Sequence, residues 1–277
     1  MILYKYCDQF GGTEIIGSLE LKLPFISEVN DPLECLPIFC CEGEKSKVKE
    51  RCLLAFKRKQ INIGDDLLKN LDKKIENGEM QELLKKQSRV HVKEWNDSKG
   101  CLLSVSKTAR NTVMWAHYAE KHKGIVIGID FQEIFQKNGE QIGVVMEPVK
   151  YSKDRIKIDI STDETTKEWR DAMSGALLNK SKDWQYEQEF RTIFLDDMLK
   201  DWRRQGMACF KELKGKITWF LKLHPSSIKE IIFGLFAEES LKNSIRKLKS
   251  SPGLKHVKLY NVAESDSYDF NLIEEKI

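Results

Sequence analysis

Residues 111–130 read NTVMWAHYAEKHKGIVIGID. The second half, Gly124–Asp130, is an apolar run rich in β-branched residues and bounded by a glycine and an aspartate, which predicts a buried strand. The first half, Asn111–Lys121, opens on a helix-capping residue and predicts a helix. Working outward, Cys101–Ser106 predicts a short strand upstream. Downstream the pattern gives strands at Gly143–Tyr151, Phe190–Leu195, 216–223, 228–234 and Val257–Val262, and helices at Glu164–Leu178 and Glu238–Leu248. At the amino end Ile2–Tyr6 reads as a strand, Gly11–Gly12 as a turn, Thr13–Ser18 as a short helix and Leu19–Pro24 as a second strand. Asn30-Asp31-Pro32 is a turn, because Pro32 keeps Asp31 out of the α region. This alternation is too irregular for parallel βαβ repeats. The expected fold is α+β, with a mixed or antiparallel sheet core and helices beside it.

Residues 44–97 differ in character. Leucines at helical spacing among charges of alternating sign predict two or three amphipathic helices, a helical insertion or cap within one domain spanning 1–277. No internal repeat, low-complexity tract or Pro/Gly/Ser linker interrupts the chain.

Composition excludes several classes of function. Forty-six Lys and Arg against forty-three Asp and Glu leave +3 over 277 residues, so the chain as a whole is no polycation. Thirteen Phe, seven Tyr and six Trp supply a core that a disordered chain would lack. No apolar stretch approaches the roughly 18 residues of a membrane span, and MILYKYCDQF has no secretory pattern, so the expected setting is cytoplasmic, without membrane contact. Seven scattered cysteines without a CxxC pair read as reduced thiols and give no zinc site.

Three constellations can carry chemistry. Trp115, His117 and Tyr118 form an aromatic patch with a titratable tip, equally the signature of a helix anchored on a sheet. Tyr186-Glu187-Gln188-Glu189-Phe190-Arg191 places a Glu-x-Glu at the mouth of a strand. Alternation there points Glu187 and Glu189 to one side, where paired carboxylates can accept a proton and steady a developing cation. The bland reading is a solvent-facing stripe neutralised by Arg191. Ser104 and Ser106 alternate onto one side of their own strand. A metal-dependent nuclease built on Asp130, Glu187 and Glu189 lacks hard-ligand spacing, and no metal is expected.

Together these pieces resemble a bacterial domain-of-unknown-function family, number 2971. The resemblance rests on Leu3-Tyr4-Lys5-Tyr6, Asn30-Asp31-Pro32-Leu33-Glu34, Met114–Gly124, Trp184–Arg191 and Glu230–Gly234. More distantly, the order of motifs is similar to the ADP-ribosyltransferase fold. That likeness implies NAD as substrate, Glu189 as the catalytic carboxylate and Glu187 as the residue orienting the acceptor. It assigns Ser104 and Ser106 to the nicotinamide side, and Tyr4, Lys5, Tyr6, Trp115, His117, Tyr118, Tyr186 and Arg191 to substrate binding. No arginine precedes Arg51, so Lys5 is the first-strand cation available for the dinucleotide phosphates. The function implied is an NAD-consuming bacterial toxin or phage-defence effector acting on nucleic acid or protein, with partner proteins from the same defence operon. Basic windows at 200–216 (six basic, two acidic) and 242–258 (six basic, no acidic) suit a phosphate-bearing target. The rival expectation is a non-enzymatic sensor module that binds nucleic acid or protein, its aromatics serving the core and Glu189–Arg191 a structural ion pair.

Overall fold

The computed structural model describes residues 1–137, 140–141 and 144–275. The chain divides into two compact units, one of residues 1–25, 100–149 and 183–277 and the other of residues 26–99 and 150–182. The helices of the 44–97 region lie in the second unit, which also takes in residues 26–43 and 150–182.

The first unit is built on an eight-stranded mixed sheet. Its strands run in the order Asn271–Glu274, Lys258–Ala263, Ile228–Phe233, Ile125–Asp130, Ile2–Cys7, Gly100–Ser106, Glu189–Leu195 and Glu147–Pro148. The pairing is antiparallel except between Ile228–Phe233 and Lys258–Ala263. The GIVIGID strand is central because it is apolar on both faces, with Ile125, Val126, Ile127 and Ile129 all fully buried. Alternation sorts the first strand. Leu3 and Cys7 pack into the larger core with Ile125, Ile127, Ile129, Ile231 and Phe233. Tyr6 faces the other side with Trp115, Val126, Ile232 and Val262, and Tyr4 packs against that cluster. A three-stranded antiparallel sheet joins Ala208–Leu213, Lys216–Lys222 and Glu20–Leu23.

Most expected elements form within a residue or two of their expected ends. The first helix is longer, Gln9–Ser18, because Asp8 caps it by accepting from the Gly11 amide. The helix in the MWAHY motif is shorter, Thr112–Tyr118, capped by Asn111 on the Met114 amide. It gives way to Glu120, Lys121 and His122, three successive residues with positive φ. The expected strand at Gly143–Tyr151 is broken into Glu147–Pro148 and Lys150–Ser152, and Gly143 lies outside the described residues. The helix Asp196–Arg204 and strand Ala208–Leu213 form where no element was expected.

In the second unit, helices Lys45–Arg58, Asp65–Glu76 and Glu79–Ser98 pack with helix Lys167–Leu177 and two short parallel strand pairs. Asp65 and Asp66 open the second helix and Lys73 and Lys74 close it, which complements its dipole. Arg58 clasps the Asp163 carboxylate at both oxygens. Burial opposes ionisation of Asp163, but hydrogen bonds from Thr165 and Arg58 prevail and hold it at about 2.

Two consequences can be measured. A Cβ on Gly124 would stand 2.0 Å from the Cys7 carbonyl oxygen, where backbone cannot yield. Gly124→Ala is therefore expected to cost about 3 kcal/mol and to lower Tm by roughly 6 to 12 °C. Gly17→Ala, with no atom nearer than 3.9 Å to the new methyl, should be neutral or stabilising. Because folding lowers the pKa of Asp163, its contribution is complete above the unfolded value and is lost as pH falls through about 2. The stability difference between wild type and Asp163→Asn, followed by chemical denaturation, should hold down to about pH 4 and vanish near pH 2.

Candidate functional site

The register of the large sheet brings the three motif strands together. Tyr4 pairs with Ser106, Ser106 pairs with Glu189, and Ser104 pairs with Arg191. Directly paired residues share a face, so Tyr4, Ser106 and Glu189 lie in one row across three strands. On the other side Tyr4 pairs with Gly128, and Gly128 with Glu230, which extends the row over five strands. Gly128 is required there: a Cβ on it would lie 2.6 Å from Cγ of Glu230. Its absence lets the Glu230 side chain pass over the strand, and the Glu230 carboxylate adds to the rise that burial causes in the Tyr4 pKa.

Glu189 is 5% exposed and Arg191 1%. Arg191 reaches back along its own strand, Nε donating to Oε1 of Glu189 at 2.6 Å and a terminal nitrogen to Oε2 at 2.8 Å. Desolvation lowers the guanidinium's pKa, and the carboxylate beside it is the counter-charge that keeps it ionised. Glu187, 4% exposed, accepts from the Tyr118 hydroxyl at 2.6 Å. The Ser106 hydroxyl donates to the Glu187 carbonyl at 2.6 Å. Lys5 donates to the Ser104 carbonyl at 3.0 Å. Burial pushes the Lys5 ammonium below the usual lysine range, with Cys7 and the Glu189 charge opposing that shift.

The shared strand face expected for Glu187 and Glu189 is corrected. Glu187 ends a 3₁₀ helix, Lys182–Glu187, and the strand begins only at Glu189. Between them Gln188 takes φ +45°, which breaks the alternation. The expectation of a solvent-facing stripe is corrected as well, since both carboxylates and Arg191 are buried. Trp115 is fully buried, gives its indole N–H to the Ala109 carbonyl at 2.7 Å and stands edge-on to Tyr6 at 5.5 Å. Tyr6 donates to the Thr108 carbonyl at 2.9 Å. Lys5 alternates onto the face opposite Tyr4 and Tyr6, so its charge turns inward. His117 is exposed and stacks on Tyr186, rings 6.4 Å apart, while His122 sits edge-on between Phe236 and Phe270, its pKa lowered by burial.

Beside the row lies a cleft of about 350 Å³, lined by Tyr4, Lys107, Thr108, Arg110, Glu230 and Tyr260 among others. Burial raises the pKa of Tyr4, the Glu230 carboxylate adds to the rise, and Arg110 opposes it. The sequence reading missed Lys107, Arg110 and Tyr260. Their only local signal is that two cations follow Ser106 within four residues.

Sheet, buried charge network and cleft define an α+β protein whose sequence motifs converge on one sheet face. Residues 114–192 match a family model described as Protein of unknown function (DUF2971), a stretch that runs from Met114 through Thr192. The matched stretch contains the Met114–Gly124 and Trp184–Arg191 motifs and is similar to that family. No curated protein and no solved structure matches the chain.

The pair of Glu189 and Arg191 can be tested directly. Arg191→Met strands a buried carboxylate and should cost about 3 to 5 kcal/mol. The double substitution Glu189→Gln/Arg191→Met removes both charges and should recover at least half of that loss. Chemical denaturation of the full double-mutant cycle checks this. Additive losses would mean that the two side chains are not coupled.

Proposed function

We propose that the chain is an ADP-ribosyltransferase-like enzyme that consumes NAD, in a bacterial toxin or phage-defence role with nucleic acid or protein as acceptor. The observation that supports this reading is the row Tyr4–Ser106–Glu189, in which residues far apart in sequence stand side by side. When the bond between ribose C1′ and the nicotinamide nitrogen breaks, its electron pair leaves with neutral nicotinamide, and positive charge develops on the sugar. A fixed carboxylate stabilises that charge without reorganising. Arg191 holds Glu189 ionised and in one orientation, and Tyr118 does the orienting at Glu187. The acceptor then bonds to C1′, and its proton passes to the Glu187 carboxylate or to water.

The dinucleotide also brings two phosphates and an adenine. Lys5, engaged at the Ser104 carbonyl, is ill placed to meet them. Lys107 and Arg110 are exposed, and the rings of Tyr4 and Tyr260 line the same cleft, so this set fits a diphosphate and a stacked base.

One observation favours the rival reading of a non-enzymatic nucleic-acid- or protein-binding module. Both Glu189 oxygens are held by Arg191, so the negative charge is balanced inside the sheet. Nicotinamide release from NAD, measured with added nucleic acid and with cell protein, separates the two. Under the enzymatic reading wild type releases nicotinamide, and Glu189→Gln slows turnover by about 10²- to 10³-fold. Lys107→Ala/Arg110→Ala should raise KM with little change in kcat. No release with either acceptor, or equal rates for wild type and Glu189→Gln, would leave only the binding module.

A further inference from the structure

The second unit contains a larger cleft that the NAD reading does not use. Its apolar core is divided into two clusters. Val48, Cys52, Leu71 and Ile75 form one, with Phe56 and Met80 against it. Phe39, Val92, Ile158 and Ile160 form the other, with Trp169 against it. Cys41 and Leu84 touch both. A cleft of about 810 Å³ is lined by members of each cluster, including Phe56, Leu71, Met80, Leu84, Val92 and Trp169. That size lies within the ~300–1,000 Å³ range of small-molecule pockets. Ile61, Leu67 and Leu83 also line it, yet they remain 42%, 36% and 41% exposed. The wall therefore offers apolar surface that the chain's own side chains leave uncovered.

The charged lining is mostly basic. Arg51, Arg58, Lys59 and Lys74 face a single carboxylate, Glu164. Arg51 is engaged at the Ile160 carbonyl and near Glu164, and Arg58 is clasped to Asp163. Lys59 is exposed and Lys74 half-buried, and neither makes an ion pair among the described residues. An apolar floor below unpaired ammonium groups is complementary to a molecule with a hydrocarbon body and one negative head. We propose that this cleft binds a free single-chain amphiphilic carboxylate, its body on the Phe56–Leu84–Trp169 floor and its head group at Lys59 and Lys74.

Titration calorimetry of the full chain with decanoate, below its micelle concentration, tests this. Saturable binding, one per chain, is expected. Decan-1-ol, with the same body and no charge, should bind about tenfold more weakly, and decylamine more weakly still. Lys59→Glu/Lys74→Glu should weaken decanoate by at least about tenfold. Ala55→Trp, which fills the cleft, should abolish binding, with far-UV circular dichroism reporting that both variants are folded. Absence of saturable binding, equal affinity for decanoate and decylamine or for decanoate and decan-1-ol, or indifference to both variants would overturn the assignment. The outcome is independent of nicotinamide release.

Discussion

Arg191 takes both oxygens of the carboxylate two residues before it, and the site is organised around that pair. A buried carboxylate or guanidinium alone would sacrifice several kcal/mol of hydration. Side by side on one strand face, each lowers the other's penalty, and the strand itself sets their spacing. The arrangement works only if Glu189 begins the strand and is not part of the turn before it. Gln188, at φ +45°, supplies that break. Its neighbour Glu187 can then turn away to Tyr118, and the Lys107 amide bonds to the Gln188 carbonyl, which docks the turn on the end of the serine strand. Lys5 lies on the opposite face of the first strand and meets this region through the Ser104 carbonyl. Hydroxyls from Ser106 and Tyr118 meet Glu187 at its backbone and side chain.

The same constraint explains why the motifs were readable as motifs but not as geometry. Tyr118 and Glu187 are partners across two short segments and Glu189 and Arg191 along one strand, whereas Trp115 is held by Ala109 and Tyr6. Strands such as Gly124–Asp130 were legible because an all-apolar run has few other uses. The 3₁₀ helix before Glu189 was not, since a single positive φ at Gln188 leaves no compositional trace. Helix Asp196–Arg204 was hidden by its high charge, although Leu199 and Trp202 give it a buried stripe.

The division into two units was also outside the reach of composition. The second unit is discontinuous, with residues 150–182 joining 26–99 through parallel pairs such as Ile158↔Phe39. No linker marks its limits, because each crossing is a short connection between ordered elements. The cleft beside Tyr4 was hidden for a related reason. Glu230 and Tyr260 enter from strands more than two hundred residues along the chain, and only the sheet order makes them neighbours of Tyr4. Gly128 was visible as a glycine inside an apolar strand, a usual sign of close approach. The partner that approaches, Glu230, could be named only from the register.

These placements bear on what the buried carboxylates can do. A proton acceptor needs a pKa near the working pH, and a carboxylate clasped by a guanidinium is held away from that condition. Glu189 is therefore poorly suited to take a proton. Stabilising a cation is a different demand. It requires a charge that is already present, fixed in direction and shielded from water, and the Arg191 clasp provides all three. The clasp also balances that charge, so a substrate cation would gain most by weakening the guanidinium's hold as the reaction proceeds. Glu187 differs in one respect: one of its oxygens accepts from the neutral Tyr118 phenol, which orients it.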